Sequence, residues 1–545
     1  MLIHTPKSPQ SSKISRPDEK PWALLCLVFV WLWPGIIDHD LWRPNEPLFY
    51  EMVKAIKNGV FIPTIFGTTY AHHAPVMESL GALFLQLFSG SIFAPYTAVR
   101  LATVLMMVIG LTCIGYAGKE LAGKYHGRSV VLILIGCPGI MLFGHLMGKM
   151  PLLFASICAF IYGISISQKR VLVAGSCIGI GILGAFATDN LSSVFFLWII
   201  LWLLPISKEY RSKRYLISVI VAAVLSFPLL FIFPYLLYKA QPQTFINWLN
   251  FHSLGIFGGI KQINIGFSGF DVLKNILWFA FPSWFLAVWA MIQQKKIFPA
   301  TQWLCVVWIT LAAIMLSLQK DANNEQLVWL LPPLAILGAT CLDNIKRGAA
   351  SFLNWFGIMV FGIAGIFLWL MFVAINYGYP EFLSKLSSSI NPYFKPHWNY
   401  FPMLLALSFT PIWLWLITRK NIRGRQAITN WAAGMTLIWT LSLSLFLPWF
   451  NSLKSYRYTV INMEQSLPNN LKQQFISGKK CISTNSQNLF LAWNEYSQIK
   501  LSRNKKCQYK LTNMQHNIKR SKIVWTGTRG GKKQGNIESF MLIKN

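Results

Sequence analysis

The chain has 545 residues, of which 54% are hydrophobic and 12% charged, and its formal net charge is +31. Soluble domains carry about 25% charged residues, so this composition excludes an ordinary soluble enzyme and points to a polytopic membrane protein. Its basic residues lie largely in short loops, the pattern of anchoring to anionic lipid rather than of nucleic-acid binding.

In chain order, residues 1–21 read as a polar cytoplasmic tail. The first apolar run follows it without a small-residue cleavage site, so it is expected to stay as a helix. Apolar runs begin near Pro21, Ala94, Arg128, Met150, Val171, Leu191, Leu216, Val272, Ala300, Glu325, Ser351, Phe401 and Ala427. Each is roughly 16 to 25 residues, the length that crosses a bilayer, which predicts about 13 transmembrane helices within a 22–450 domain. Alternate loops carry the basic residues: Lys119, Lys124 and Arg128; Lys169 and Arg170; Lys208, Arg211, Lys213 and Arg214; Lys295 and Lys296; Lys346 and Arg347; Arg419 to Arg425. The loops between are poor in them. "TDN" at 188–190 has none, and 319–326 has only Lys320. The positive-inside rule then puts the N-terminus in the cytoplasm, and the first large loop and the C-terminus outside.

Most acidic residues fall on that external side, and the helix centres hold almost none. A transporter or proton pump should bury ionisable groups near the midplane, so chemistry at the external interface is the better expectation. The first external loop, 38–93, holds two helical patterns. Asn45 is expected to cap the first, Pro47 to start it and Gly59 to stop it, with Leu48, Met52, Ala55 and Ile56 as a stripe lying on the membrane. "GVFIPTIFGTTYAHHAP" reads as an extended link.

After Asn451 the composition changes, and 451–545 reads as a small external α/β domain. "KKCIST", "SQIKL", "CQYKLT" and "SKIVWTG" are strand-like, "MEQSLPNNLKQQF" is helical, and "GTRGGKKQG" is a turn. Cys481 and Cys507 lie on the oxidising side and can pair, whereas the other seven cysteines lie in apolar runs as packing residues.

The segment "LWRPNEPLFYEMVKAIKNGVFIPTIFGTTYAHHAPV" resembles the first external loop of the polyprenyl-phosphate-dependent membrane glycosyltransferases of GT-C type. These are the bacterial relatives of the protein O-mannosyltransferases, including the aminoarabinose transferase of lipid A. Trp42, Pro44, Glu46, Glu51, Met52, Gly59, Pro63, Tyr70 and Pro75 fall in register with that pattern. Gly184 and Thr188, then Pro332 and Ala335, then the closing "WTGTR" follow in order. The resemblance implies thirteen spans and a small external domain. It implies transfer of a sugar from a polyprenyl-phosphate donor to a lipid, glycan or protein acceptor outside the bacterial inner membrane. A divalent metal is left open, and no metal-ligand spacing occurs. Asn45 stands where the family has Asp, Leu48 where it has Arg, and His73, Asp189 and Glu325 where it has Lys. The site is thus rewritten in charge for another substrate, or reduced to binding.

Glu46, Asn45 and Asp40 are the expected catalytic positions, Glu46 as a carboxylate base near the membrane surface. Arg43, His72, His73, Lys320, Asp189, Glu325 and Tyr70 are expected to hold phosphate or sugar. His72 and His73 are adjacent and should face opposite ways in an extended segment, which argues against a metal pair. Lys149 and Lys261 are further external cations. Lipid flux by a flippase is the remaining alternative.

Overall fold

The computed structural model describes residues 22–544, apart from 66–67, 89, 91–92, 294–298, 321–322, 392–393, 395, 397–399, 419–423, 504–505, 514–521 and 530–537. The expected cytoplasmic tail, most of the "GTRGGKKQG" turn and part of two basic loops lie outside those residues.

A helical membrane protein emerges directly from the apolar runs. Among the described residues, five helices are long and apolar enough to cross a membrane, or seven if each of two bent pairs is one span. That is fewer than the thirteen expected. Several runs fold as shorter apolar helices, such as Trp22–Leu32, His126–Ile135 and Met150–Ile166.

Two other expected runs form the single Val171–Leu203 helix, which breaks at Asp189 and Asn190. Drawn straight, its 33 residues would be about 50 Å long. Yet the Tyr215 hydroxyl donates to the Leu201 carbonyl at 2.8 Å, and Ser218, one turn on, donates to the Ser167 carbonyl. Residues 167 and 201 are therefore neighbours. The two halves run antiparallel, and "TDN" is the tip of a helical hairpin. Asn190 has φ +55 there, a conformation rare outside glycine. Its amide donates to the carbonyls of His72 and His252, both at 2.8 Å, and ties the tip to two loops.

The bundle has two chemically distinct ends. At one, the basic loops meet: Lys169 pairs with Glu120, Arg214 donates to the Gln168 carbonyl at 3.0 Å, and Arg425 pairs with Asp343 at 2.5 Å. At the other stand Arg100 and the first large loop. Arg100 and Glu120 share the Pro95–Ala122 helix, and about 30 Å of helix separates them, the thickness of a bilayer's hydrocarbon core.

In the first loop, the Asn45–Lys57 helix buries Phe49, Tyr50, Met52 and Val53. Phe49, Tyr50 and Val53 pack against the Val76–Phe88 helix and Met147, and Met52 packs with Ile65 and Leu491, rather than forming a stripe free to lie on the membrane. Gly59 takes φ +84 just after the helix. The link carries a two-stranded hairpin, β1 (Thr64–Ile65) with β2 (Thr68–Thr69).

Beyond Leu447–Lys454, a five-stranded mixed sheet runs in the order β4 (Leu501–Ser502), β3 (Ile482–Ser483), β5 (Tyr509–Asn513), β7 (Glu538–Lys544), β6 (Ile523–Arg529). Strand β7 and the Gln487–Tyr496 helix were not foreseen, and Pro468 splits the expected single helix into Arg457–Ser466 and Asn469–Ile476. Tyr456, Trp493, Trp525 and Phe540 share the core of this part. A disulfide joins Cys481 to Cys507. Charge docks the helices of this part on the first loop and on the helix after it: Arg457 reaches Asp40 at 3.0 Å, and Lys54 and Tyr96 both reach Glu495.

Candidate active site

The site is built around a carboxylate whose partners come from distant parts of the chain. Glu46 sits in the first turn of its helix, 3% exposed. One of its oxygens accepts from the Trp42 amide and from Arg100, both at 2.8 Å. The other accepts from the Met147 amide at 2.9 Å. Arg100 is fully buried, and it also donates to the His39 and Asp40 carbonyls. Asn451 closes the turn from above: its oxygen accepts from the Trp42 indole at 2.9 Å, and its amide donates to the Asp38 carbonyl. Sequence and packing thus fix Trp42–Glu46 rigidly beside residues 147–149.

A cavity of about 540 Å³ opens beside this turn. Its wall includes Trp42, Arg43, Asn45, Glu46, Tyr70, His72, His73, Glu78, Lys149, Glu325 and Lys454. The volume is in the range of a small-molecule site, and the wall mixes cations, carboxylates and rings.

The two histidines do face different partners. His73 Nε2 lies 3.0 Å from Glu78 Oε1, whose carboxyl is almost fully buried and whose second oxygen finds no partner among the described residues. His72 stacks between Tyr70 at 4.3 Å and His252 at 4.0 Å. Desolvation between these rings pushes its pKa down to about 4, and the charges of His252, His73 and Lys149 add to the effect. It is therefore neutral near pH 7. Among the described residues, no group of three His, Cys, Asp or Glu could hold a metal ion.

Lys149 donates to the Thr188 carbonyl at 2.6 Å and to Asp189 at 3.2 Å. Asp189 also accepts from the Gln326 amide at 3.2 Å. Gly255 sits against this turn with φ +57, and a Cβ there would come within 2.0 Å of the Asp189 carbonyl oxygen. Glu325 is half-buried beside Lys149 and Asp189. Desolvation raises its pKa above the ordinary carboxylate value, Lys149 opposes that, and Asp189 reinforces it.

Several sequence expectations need correction in position. Asn45 caps nothing: the cap position is Pro44, and Asn45 is the first helical residue, exposed to the cavity. Asp40 is buried under Arg457 and outside the cavity wall, because it holds the C-terminal part to the loop. Lys320 is exposed and packs over Gly266, also outside the wall. Asp189 stands behind Lys149 as its counter-ion rather than at the surface of the cavity. Arg43 lines the cavity, but its guanidinium is engaged by Tyr456 at 2.6 Å and Glu538 at 2.5 Å.

Sequence reasoning missed Arg100, Glu78 and Lys454 as parts of the site. Arg100 did leave a signal, a lone arginine inside an apolar run, which by itself marks a functional position in a membrane protein. Lys454 left none, since it sits among many basic residues.

No protein-family model matches the chain, and no curated protein matches it in sequence. Among solved structures, it is similar to ArnT from Cupriavidus metallidurans bound to undecaprenyl phosphate. The TM-score is 0.63 at 17% identity, over 88% of this chain and 85% of that one. The apo state of the same protein gives 0.62 at 16% identity, over 88% and 85%. At this identity the likeness is one of fold: the chain shares the fold of ArnT.

Proposed function

We propose that the chain transfers a sugar from a polyprenyl-phosphate donor to a lipid, glycan or protein acceptor on the external face of the bacterial inner membrane. The observation that carries this reading is the polar cavity at the end of the bundle opposite the basic loops, in a GT-C-type fold. ArnT, similar in fold, is bound to undecaprenyl phosphate, and a lipid phosphate is the donor chemistry assigned to this chain. In this reading, residues 22–450 form the transferase domain with about 13 helical passes, counting the Asp189 hairpin as two. Residues 451–545 form an external domain that reaches the cavity wall at Lys454.

The reaction needs a base at the acceptor hydroxyl and positive charge at the leaving phosphate. Glu46 is a poor base, because both oxygens already accept from protein donors; it is a positioning residue for Trp42 and the 147–149 turn. His73 suits the role better. With Nε2–H donating to Glu78, its Nδ1 lone pair is left for the acceptor's proton, the logic of a base oriented by a third group. That proton moves to His73 as the acceptor oxygen bonds the sugar's anomeric carbon and the phosphate departs. Lys149 keeps one N–H beyond its two protein acceptors and can donate it to that phosphate. Glu325 can bind a sugar hydroxyl.

A second reading, donor binding without transfer, draws on the exposed Asn45 and the committed Glu46. One experiment separates the two: mass spectrometry of lipid A, surface glycans and exported proteins from cells with the chain, without it, and with His73→Gln. Transfer predicts one modified species that disappears with the chain and returns weakly with His73→Gln, since loss of a base costs about 10²–10⁴ in rate. Full restoration by His73→Gln removes the base assignment. No change on deleting the chain removes the transferase reading.

A further inference from the structure

Three cationic side chains line the cavity, and their partners divide them sharply. Arg43 is neutralised by Glu538 at 2.5 Å, and its guanidinium stacks on Tyr456. Lys149 is neutralised by Asp189 at 3.2 Å. Lys454 has neither a carboxylate within ion-pair distance nor a hydrogen-bond acceptor among the described residues. Its ammonium lies over the face of the Trp42 indole, 4.4 Å from the ring centre. A lysine ending a helix is favoured by the helix dipole wherever its side chain points. This one is laid along a cavity wall instead, over the ring that Asn451 holds in place. An ammonium on an indole face keeps N–H donors available to an anion on its open side.

We infer that Lys454, carried by the helix that leads into the C-terminal sheet, is the principal phosphate-binding cation of the cavity. The inference rests on the proposed function for the identity of its ligand, a phosphate monoester on a polyprenyl chain. It places that recognition where the last bent helix pair, Gly424–Leu445 with Leu447–Lys454, hands over to the C-terminal sheet. The wall is held in place by Arg529, which donates to the Leu453 carbonyl next to Lys454, and by the Arg43 amide on the Lys454 carbonyl. Phosphate binding and seating of the C-terminal sheet are therefore coupled.

The test uses the full-length chain in detergent, with equilibrium binding of radiolabelled undecaprenyl phosphate. Undecaprenol serves as the uncharged control and inorganic phosphate as the competitor. Lys454→Gln is expected to weaken binding of undecaprenyl phosphate roughly 10- to 100-fold, the loss of one charge-assisted contact. Undecaprenol should bind equally to both proteins, and Lys454→Arg should restore affinity. Raising salt should weaken the wild type more than Lys454→Gln. Competition by millimolar inorganic phosphate in the wild type but not in Lys454→Gln supports the same cation, with free phosphate as a second source of the ligand. Unchanged affinity in Lys454→Gln overturns the inference and leaves the proposed function standing. A wild type that binds undecaprenyl phosphate no better than undecaprenol overturns both.

Discussion

Arg100 and Glu46 show how one buried pair sets the geometry of the whole first loop. Each is almost inaccessible to solvent, and together they fix two carbonyls, two amides and each other. Removing one partner of such a pair strands the other charge, which typically costs about 3–5 kcal/mol. Arg100→Met should therefore lower the melting temperature of the detergent-solubilised chain sharply. Adding Glu46→Gln to it should recover part of the loss, because the uncompensated carboxylate is gone. Equal melting of the single and double variants would show that the pair is not coupled. His72 makes a prediction in pH. Its folded pKa, about 4, lies below the ordinary 6.5, so only the unfolded chain takes up a proton as pH falls between them. Its contribution to stability is complete above about pH 6.5 and is lost progressively down to about pH 4. Melting temperatures from pH 7 to pH 5 should fall less in His72→Asn than in the wild type; parallel curves would mean that another group governs the acid limb.

Among the elements, the Asp189–Asn190 hairpin is the one most open to test. Asn190 holds a backbone conformation that costs a non-glycine residue on the order of 1–3 kcal/mol, and its amide repays that with two hydrogen bonds. Asn190→Ala keeps the strain and loses both bonds, while Asn190→Gly loses the bonds and relieves the strain. Thermal melts should rank the glycine variant above the alanine variant, and the reverse order would remove strain from the account. This hairpin was legible in sequence as the loop "TDN", a polar triplet between two apolar runs, even though its helical hydrogen bonding is nearly continuous. Strand β7 was not legible, for a physical reason. Phe540, Met541 and Leu542 are all buried, because the strand lies between β5 and β6, so the alternation that announces a half-exposed strand is missing. Lys454, likewise, is distinguished from other lysines only by the indole it meets in three dimensions. The histidines were legible in their opposite orientation but not in their partners, since Glu78 lies on the next helix and His252 lies far along the chain.

At the scale of the molecule, the separation of basic loops from the polar cavity is a statement about orientation. Single cysteines at Lys261 and at Lys346, both exposed and at opposite ends, should report it. A membrane-impermeant thiol reagent applied to intact spheroplasts should label the first above the background of the seven native unpaired cysteines, and not the second. Reversed labelling would place the cavity in the cytoplasm and end the external reading. The clamp between Arg43 and Glu538 has a further consequence, in time rather than in space. The two residues are 495 positions apart, so at ribosomal speed Arg43 is made roughly 25 to 100 s before its partner. The cavity wall lies wholly between residues 42 and 454, so it is made in full before the strand that clamps Arg43. A chain stopped just short of β7 would occupy the membrane with every wall residue present but Arg43 unclamped, so the last strand to be made sets where that guanidinium points.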